Sequence, residues 1–196
     1  MKLFFTIIVI LLFLTTFAQS GPKGENLINQ NRIKFLGAKN DYSSIEKSKD
    51  ENDHFQFLIG TKIEPKFIYN CAAKIPINAK GSKNGTVFLL SFKARTQKAS
   101  LETGEAKALF IFKQTADYKG NINYTQSFSS EWQTYYLPFE ADRYIKKENL
   151  GIVMQYGYSP QSFLIKNIKF EIFPEGTKLE SLPKTKITYL GMKTNA

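Results

Sequence analysis

The feature that most constrains the fold is a series of short runs between Thr86 and Phe173, in which apolar and polar residues alternate. The first run places four apolar residues at one parity: Phe88, Leu90, Phe92 and Ala94. Alternation of this kind is typical of a strand with one buried face. Turn residues separate the runs, and no stretch before Pro174 has a sustained helical period. The sequence therefore predicts an all-β fold, an antiparallel β-sandwich or jelly roll.

The stretch Ser129–Tyr144 holds the only tryptophan, Trp132, and predicts a strand closed by Pro138, which cannot donate to a ladder. One face of this strand would carry Gln133, Tyr135, Leu137 and Phe139, and the other would carry Trp132, Thr134, Tyr136 and Glu140. Large aromatic side chains usually fill interiors, so we expect Trp132 in the core.

Other strands are predicted on the same grounds, with Asn26–Leu36 as a weak candidate. They are His54–Ile59, Phe67–Ile75, Ala106–Lys113, Ile122–Phe128, Leu150–Tyr156 and Phe163–Phe173. The last changes parity near Asn167, which indicates a β-bulge. The polar and charged segment Ala38–Asp53 predicts a long loop.

The first eighteen residues, Met1–Ala18, are typical of a secretory signal peptide, with Lys2 before an apolar run and small residues before the cut. The run is too short for a spanning helix, so we expect no membrane anchor after cleavage. Residues 19–173 would then form one exported domain, secreted or periplasmic, and residues 174–196 a C-terminal linker or tail.

The formal charge of +10 arises from 27 Lys and Arg against 17 Asp and Glu. The lysines are scattered and only three arginines occur, whereas nucleic-acid binding usually clusters basic groups and uses arginine. The sequence therefore predicts no nucleic-acid partner.

The cysteine, histidine and acidic residues of the sequence do not form a recognisable catalytic or metal-binding motif. The single cysteine, Cys71, shares a parity with apolar neighbours and is expected to be a small buried thiol. The sole histidine, His54, has no evident partner, and one His with one Cys is too few for a zinc site. Glu131 and Glu140 are carboxylates without a motif that orders them as acid and base, so we predict that the chain is not an enzyme.

Five motifs, in order, resemble the carbohydrate-binding modules of families 4, 9 and 22. They are LLSFKART, ETGEAK, SSEWQTYYLPF, LGIVMQYG and SPQSFLIKNIKF. The tail SLPKTKITYLGM is similar to the connector that joins such modules to family 10, xylanase-like glycoside hydrolases. The resemblance implies a galactose-binding-like jelly roll that binds polysaccharide or oligosaccharide, with a glycoside hydrolase as an associated partner. It implies no cofactor, although structural calcium is common in the family and its ligands cannot be mapped here.

Sugar binding needs flat aromatic platforms and side chains that hydrogen-bond to hydroxyl groups. From strand parity and loop position we predict six binding residues: Arg95, Tyr118, Tyr136, Glu140, Gln155 and Gln161. Tyr136 and Tyr118 would be the platforms. The structural alternatives are that Arg95 pairs with a surface carboxylate, that Gln161 bonds a loop backbone, and that Glu140 caps a turn or binds calcium.

The leading hypothesis is a secreted, non-catalytic module for polysaccharide of the xylan or β-glucan type. One alternative is the N-terminal fragment of a family 10 xylanase-like hydrolase that lacks its barrel. A second alternative is a structural or protein-binding β-sandwich of the cell envelope.

Overall fold

A computed structural model gives the architecture of residues 22–29, 35, 40–78, 80–117 and 121–186. These residues contain ten strands: β1 Glu25–Asn26, β2 Ser43–Lys49, β3 Phe55–Thr61, β4 Ala72–Ile75, β5 Val87–Ala99, β6 Ala106–Lys113, β7 Ile122–Phe128, β8 Gln133–Glu140, β9 Gly151–Gln155 and β10 Gln161–Ile172. Single-turn 3-10 helices lie at Ile68–Asn70 and Leu179–Ser181. Among the residues described, no helix is long and apolar enough to cross a bilayer.

The strands form two antiparallel sheets. The six-stranded sheet has the order β2-β3-β10-β5-β8, with β1 paired to β10, and the four-stranded sheet has the order β4-β9-β6-β7. Every strand pair is antiparallel. The predicted all-β sandwich is confirmed.

The core lies between the two sheets and consists largely of phenylalanine rings. Phe88 stacks on Phe170 at 5.3 Å between ring centroids, and Phe112 packs against Phe139 at 4.9 Å. The alternation seen in the sequence decides this packing, because one parity of β5, β6 and β8 faces inward. The opposite parity of β5 and β8 is left for the outer face of the six-stranded sheet.

The predicted bulge in the last strand is confirmed. The register of β10 against β5 shifts between Lys166 and Lys169, and Asn167 has a φ of 54°. Asparagine tolerates this left-handed conformation better than most residues. The bulge changes which residues of β10 face outward, and so it shapes the outer face.

Three predicted segments differ from the structure. Ala38–Asp53 is not simply a loop, because it contains β2, whose Ile45 packs against the core. Its polar composition suits an edge strand with solvent on one side. The strand predicted at Phe67–Ile75 begins only at Ala72, after a 3-10 turn, and the candidate Asn26–Leu36 is reduced to the two residues of β1 in the part that is described.

Pro138 does not end its strand, which continues to Glu140. Because β8 is an edge strand of the six-stranded sheet, the missing N–H of a proline is tolerated there. Beyond β10, Leu179 and Leu182 pack with Val87, Leu89 and Phe173 on the outer side of the sheet. The segment 174–186 therefore lies against the sandwich and covers one end of its outer face.

Candidate functional site

An open groove of about 440 Å³ lies on the outer face of the six-stranded sheet, and we call it the outer groove. It crosses β8, β5 and β10, and its lining is Leu89, Ser91, Phe92, Lys93, Thr134, Tyr136, Asn167, Lys169 and Glu171. The outward parity of β5 and β8 and the bulge in β10 bring these side chains together, except that of Phe92, which faces the core. The groove thus joins one aromatic ring to several hydrogen-bonding groups.

Trp132 lies at the edge of this face and not in the core, so its predicted burial is wrong. The Arg95 guanidinium is 5.2 Å from the ring centroid and the Lys166 ammonium is 4.6 Å from it. Because Trp132 has the parity of Tyr136, its ring is directed outward. There it contacts the cationic groups of Arg95 and Lys166. The lone tryptophan and Tyr136 therefore lie on the same face, about 13 Å apart along the strand.

Tyr136 is half-buried on the outer face, as the parity of β8 predicts. Its backbone N–H donates to Thr185 Oγ1 at 2.7 Å, and its carbonyl accepts from the N–H of Thr185 at 3.0 Å. The C-terminal segment thereby pairs with the free edge of β8. This contact fixes the strand that carries the ring.

Lys166 is anchored by a carboxylate. Its Nζ donates to Asp50 Oδ2 at 2.6 Å, and Asp50 Oδ1 accepts the backbone N–H groups of Asn52 and His54. The hydrogen bond from Lys166 is the main cause that lowers the pKa of Asp50 to about 2. The ion pair holds Lys166 beside the Trp132 ring.

Arg95 and Glu140 belong to the same face at opposite ends. Arg95 stacks on Trp132, and its Nε is buried without a hydrogen-bond partner. Glu140 is exposed at the end of β8, beside Val87, and does not line the outer groove. The structure therefore brings Arg95 and Tyr136 to one surface and leaves Glu140 at its far end.

Gln155 is on the other sheet. It ends β9, where it pairs with Ala72 and Leu109, and its inward neighbour Met154 is in the core. Its side chain therefore faces away from the six-stranded sheet. The prediction that it shares a groove with Tyr136 is corrected, because parity within a strand does not tell which sheet the strand joins.

Gln161 is buried and hydrogen-bonds to backbone groups, which agrees with the alternative that it has a structural role and does not bind sugar. Its Oε1 accepts the N–H of Lys107 at 2.8 Å, and its Nε2 donates to the carbonyls of Lys107 at 2.8 Å and Tyr156 at 2.7 Å. Lys107 lies just beyond the last paired residues, Leu109 and Gln155, of the β6–β9 ladder. The side-chain amide of Gln161 hydrogen-bonds to the backbone of β6 beyond the point where the pairing with β9 ends. It therefore does not reach the outer groove.

The remaining candidates add no chemistry. Tyr118, predicted as a platform, and the signal peptide Met1–Ala18 lie outside the described residues. Cys71 is buried as predicted, and burial raises the pKa of its thiol, which opposes a nucleophilic role. Within the described ranges, no three His, Cys, Asp or Glu residues are grouped so as to hold a metal ion, and we assign no calcium site.

Sequence reasoning missed the contribution of β10. Asn167, Lys169 and Glu171 all line the outer groove. The change of parity at the bulge was the available signal, since the residues that follow it exchange faces.

No protein-family model matches the chain, and no curated protein matches it. Several solved structures are similar to the chain. A carbohydrate-binding module solved without ligand, "BiXyn10A CBM1 APO", is 16% identical over 76% of this chain and 98% of that one, with a TM-score of 0.53.

Two further solved structures score slightly lower. The family 22 module and family 10 catalytic module of Clostridium thermocellum xylanase 10B, solved with xylohexaose, show 11% identity over 78% of this chain and 29% of that one, with a TM-score of 0.49. A family 29 module complexed with mannohexaose shows 14% identity over 77% and 92%, also at 0.49. The chain has the two-sheet antiparallel β-sandwich fold of a carbohydrate-binding module, and the resemblance seen in the sequence is confirmed at the level of the fold.

Proposed function

We propose that the chain is an exported, non-catalytic module that binds polysaccharide in the outer groove. The observation that carries the proposal is the joint presence of Tyr136 and Trp132 on the outer face, beside a groove with polar walls. The fold shared with a solved carbohydrate-binding module supports it. Xylan and β-glucan are the first glycans to examine, because the sequence motifs resemble modules attached to xylanase-like enzymes.

The geometry suits a sugar chain. The apolar face of a sugar ring packs on an aromatic ring, and Tyr136 lines the outer groove, where one part of it packs against the Val87 and Leu182 cluster. Ser91, Thr134 and Asn167 supply donors and acceptors for hydroxyl groups around it. Trp132, four residues away along the strand, would extend the contact to a further sugar unit.

Among the described residues that line it, the outer groove holds no pair of carboxylates for hydrolysis. Glu171 is the sole acidic residue of its lining. Glycoside hydrolysis ordinarily requires two carboxyl groups that flank the scissile bond. The geometry therefore supports retention of a polysaccharide rather than its cleavage.

Affinity electrophoresis of residues 19–196 through gels containing xylan, β-glucan or galactan tests the proposal. We expect retardation by at least one polysaccharide. Trp132→Ala and Tyr136→Ala should each weaken binding at least about fivefold, because truncation of a central aromatic contact commonly costs more than about 1 kcal/mol.

Tyr144→Ala is the matched control, since Tyr144 is 66% exposed and does not line the outer groove. It should bind like the wild type. Binding that survives both Trp132→Ala and Tyr136→Ala would place the site elsewhere, and absence of retardation on every glycan would refute the proposal.

A further inference from the structure

The outer face of the six-stranded sheet carries four cationic side chains close to the groove. Lys93 of β5 is directly opposite Lys166 of β10 in the antiparallel register. Lys169 lines the same groove as Lys93. Arg95 follows Lys93 by two residues on β5 and lies outside the groove lining. Among the described residues, Asp50 pairs with Lys166 and Glu171 lines the groove, while Glu140 lies at the far end of the same face.

Most of this charge is not neutralised by the protein. Asp50 pairs with Lys166, at 2.6 Å. Within the described part of the chain, Lys93 and Lys169 form no ion pair, and the Nε of Arg95 is buried without a hydrogen-bond partner. Like charges directly opposite each other in a sheet are destabilising. Asp50 offsets this repulsion at Lys166, so Lys93 and Lys169 are the lysines of the groove that a bound anion would pair with.

We propose that the polysaccharide bound in the outer groove is acidic, with its anionic group held between Lys93 and Lys169 and within reach of Arg95. This inference rests on the proposed function and specifies its ligand. The sugar ring would pack on Tyr136, while a carboxylate of a uronic acid or a sulfate ester would accept hydrogen bonds from the lysines.

The groove suits an acidic sugar better than a nucleic acid. Ser91, Thr134 and Asn167 are neutral groups that bond hydroxyls, and they alternate with the cations. Glu171 would repel a backbone that carries a charge on every unit. A polymer with an occasional anionic group among neutral hydroxyls fits this mixture.

A matched pair of ligands isolates the anionic group. We would measure, by calorimetry, binding of the mature chain to glucuronoxylan and to the same polymer after reduction of its carboxyl groups. A sulfated galactan and its desulfated form make a second pair. We expect binding at least about tenfold tighter for the acidic member of one pair, and the pair that shows it identifies the anion as carboxylate or sulfate. Raising NaCl from about 0.02 M to about 0.5 M should remove most of that preference.

Variants then locate the effect. Lys93→Met and Lys169→Met keep most of the apolar stem and should each weaken acidic binding roughly tenfold. Because both residues line the groove, binding of the neutral polymer can fall as well, and the expected result is that the ratio of acidic to neutral affinity falls severalfold. Lys74→Met is the control, because this substitution also removes one positive charge. Lys74 is exposed on β4, which belongs to the other sheet. It should have no effect.

The outcomes are distinguishable. Equal affinity for charged and neutral members of both pairs would overturn the acidic ligand while leaving polysaccharide binding intact. Absence of binding to every glycan would overturn both proposals. Preference for a DNA oligonucleotide over all four polymers, lost in Lys93→Met, would overturn the acidic sugar in favour of nucleic acid.

Discussion

Replacement of Gln161 by methionine should destabilise the fold without removing the binding site. The side chain of Gln161 makes three hydrogen bonds to the backbone of Lys107 and Tyr156. Methionine has a similar length but cannot make them. A buried hydrogen bond contributes about 1 kcal/mol, so the three together predict a loss of about 3 kcal/mol in the free energy of unfolding.

The distribution of that loss can be worked from the structure. The carbonyl of Tyr156 also accepts a hydrogen bond from Thr61 Oγ1 at 2.7 Å, so it keeps a partner in the variant. The N–H and carbonyl of Lys107 lose theirs, beyond the point where β9 ends. Most of the cost therefore arises at Lys107.

Urea denaturation measures the loss. For a chain of this size the denaturant dependence is about 2 kcal/mol/M, so the midpoint of Gln161→Met should fall by about 1.5 M. Gln133→Met is the control, because Gln133 is exposed on β8 and its replacement should change stability by less than about 0.5 kcal/mol. Equal midpoints for the two variants, or loss of glycan binding by Gln161→Met with stability retained, would refute the structural role.

Three further variants probe the face and the segment that covers its end. Lys93→Met removes the repulsion from Lys166 and should raise Tm by about 1–2 °C in calorimetry; a lower Tm would contradict the charge argument. The carboxylate of Asp50, whose pKa is lowered to about 2, stabilises the fold above about pH 4 and loses this effect as the pH falls toward 2. Urea titrations should show a gap between wild type and Asp50→Asn that closes over that range, and a gap independent of pH would be evidence against the ion pair. Leu182→Ala should lower the free energy of unfolding by about 2 kcal/mol, since Leu182 packs on Val87, and unchanged stability would mean that this packing contributes nothing.

Periodicity was enough to predict the sandwich core. Phe88, Phe92, Phe110, Phe139 and Phe170 all face inward, as alternation requires, because a strand in a two-sheet core has one dry face. The bulge at Asn167 was also visible, since a change of parity has few other causes in a strand.

The edge strand β2 could not be predicted from periodicity. Its sequence SSIEKSK has one large apolar residue, Ile45, and its pairing with β3 along seven residues is made by backbone groups. Backbone hydrogen bonds do not depend on side-chain type, so a polar edge strand has a weak sequence signal.

The site was predicted in part. Parity placed Arg95 and Tyr136 on one outer face because both strands belong to the same sheet. It could not place Gln155, because sheet membership depends on long-range pairing. Trp132 was assigned to the core on the size of its ring, whereas its parity, shared with Tyr136, already indicated the outer face.

The fluorescence of Trp132 tests the central claim most directly, because it is the only tryptophan in the chain and lies on the outer face beside Arg95 and Lys166. A polysaccharide that retards the protein in a gel is titrated while the emission spectrum is recorded. Binding in the outer groove predicts a saturable change in emission whose midpoint matches the affinity measured by calorimetry, and Tyr136→Ala should shift both midpoints together. Retardation by the polysaccharide with no change in the emission of Trp132 would contradict the assignment of the site to this face.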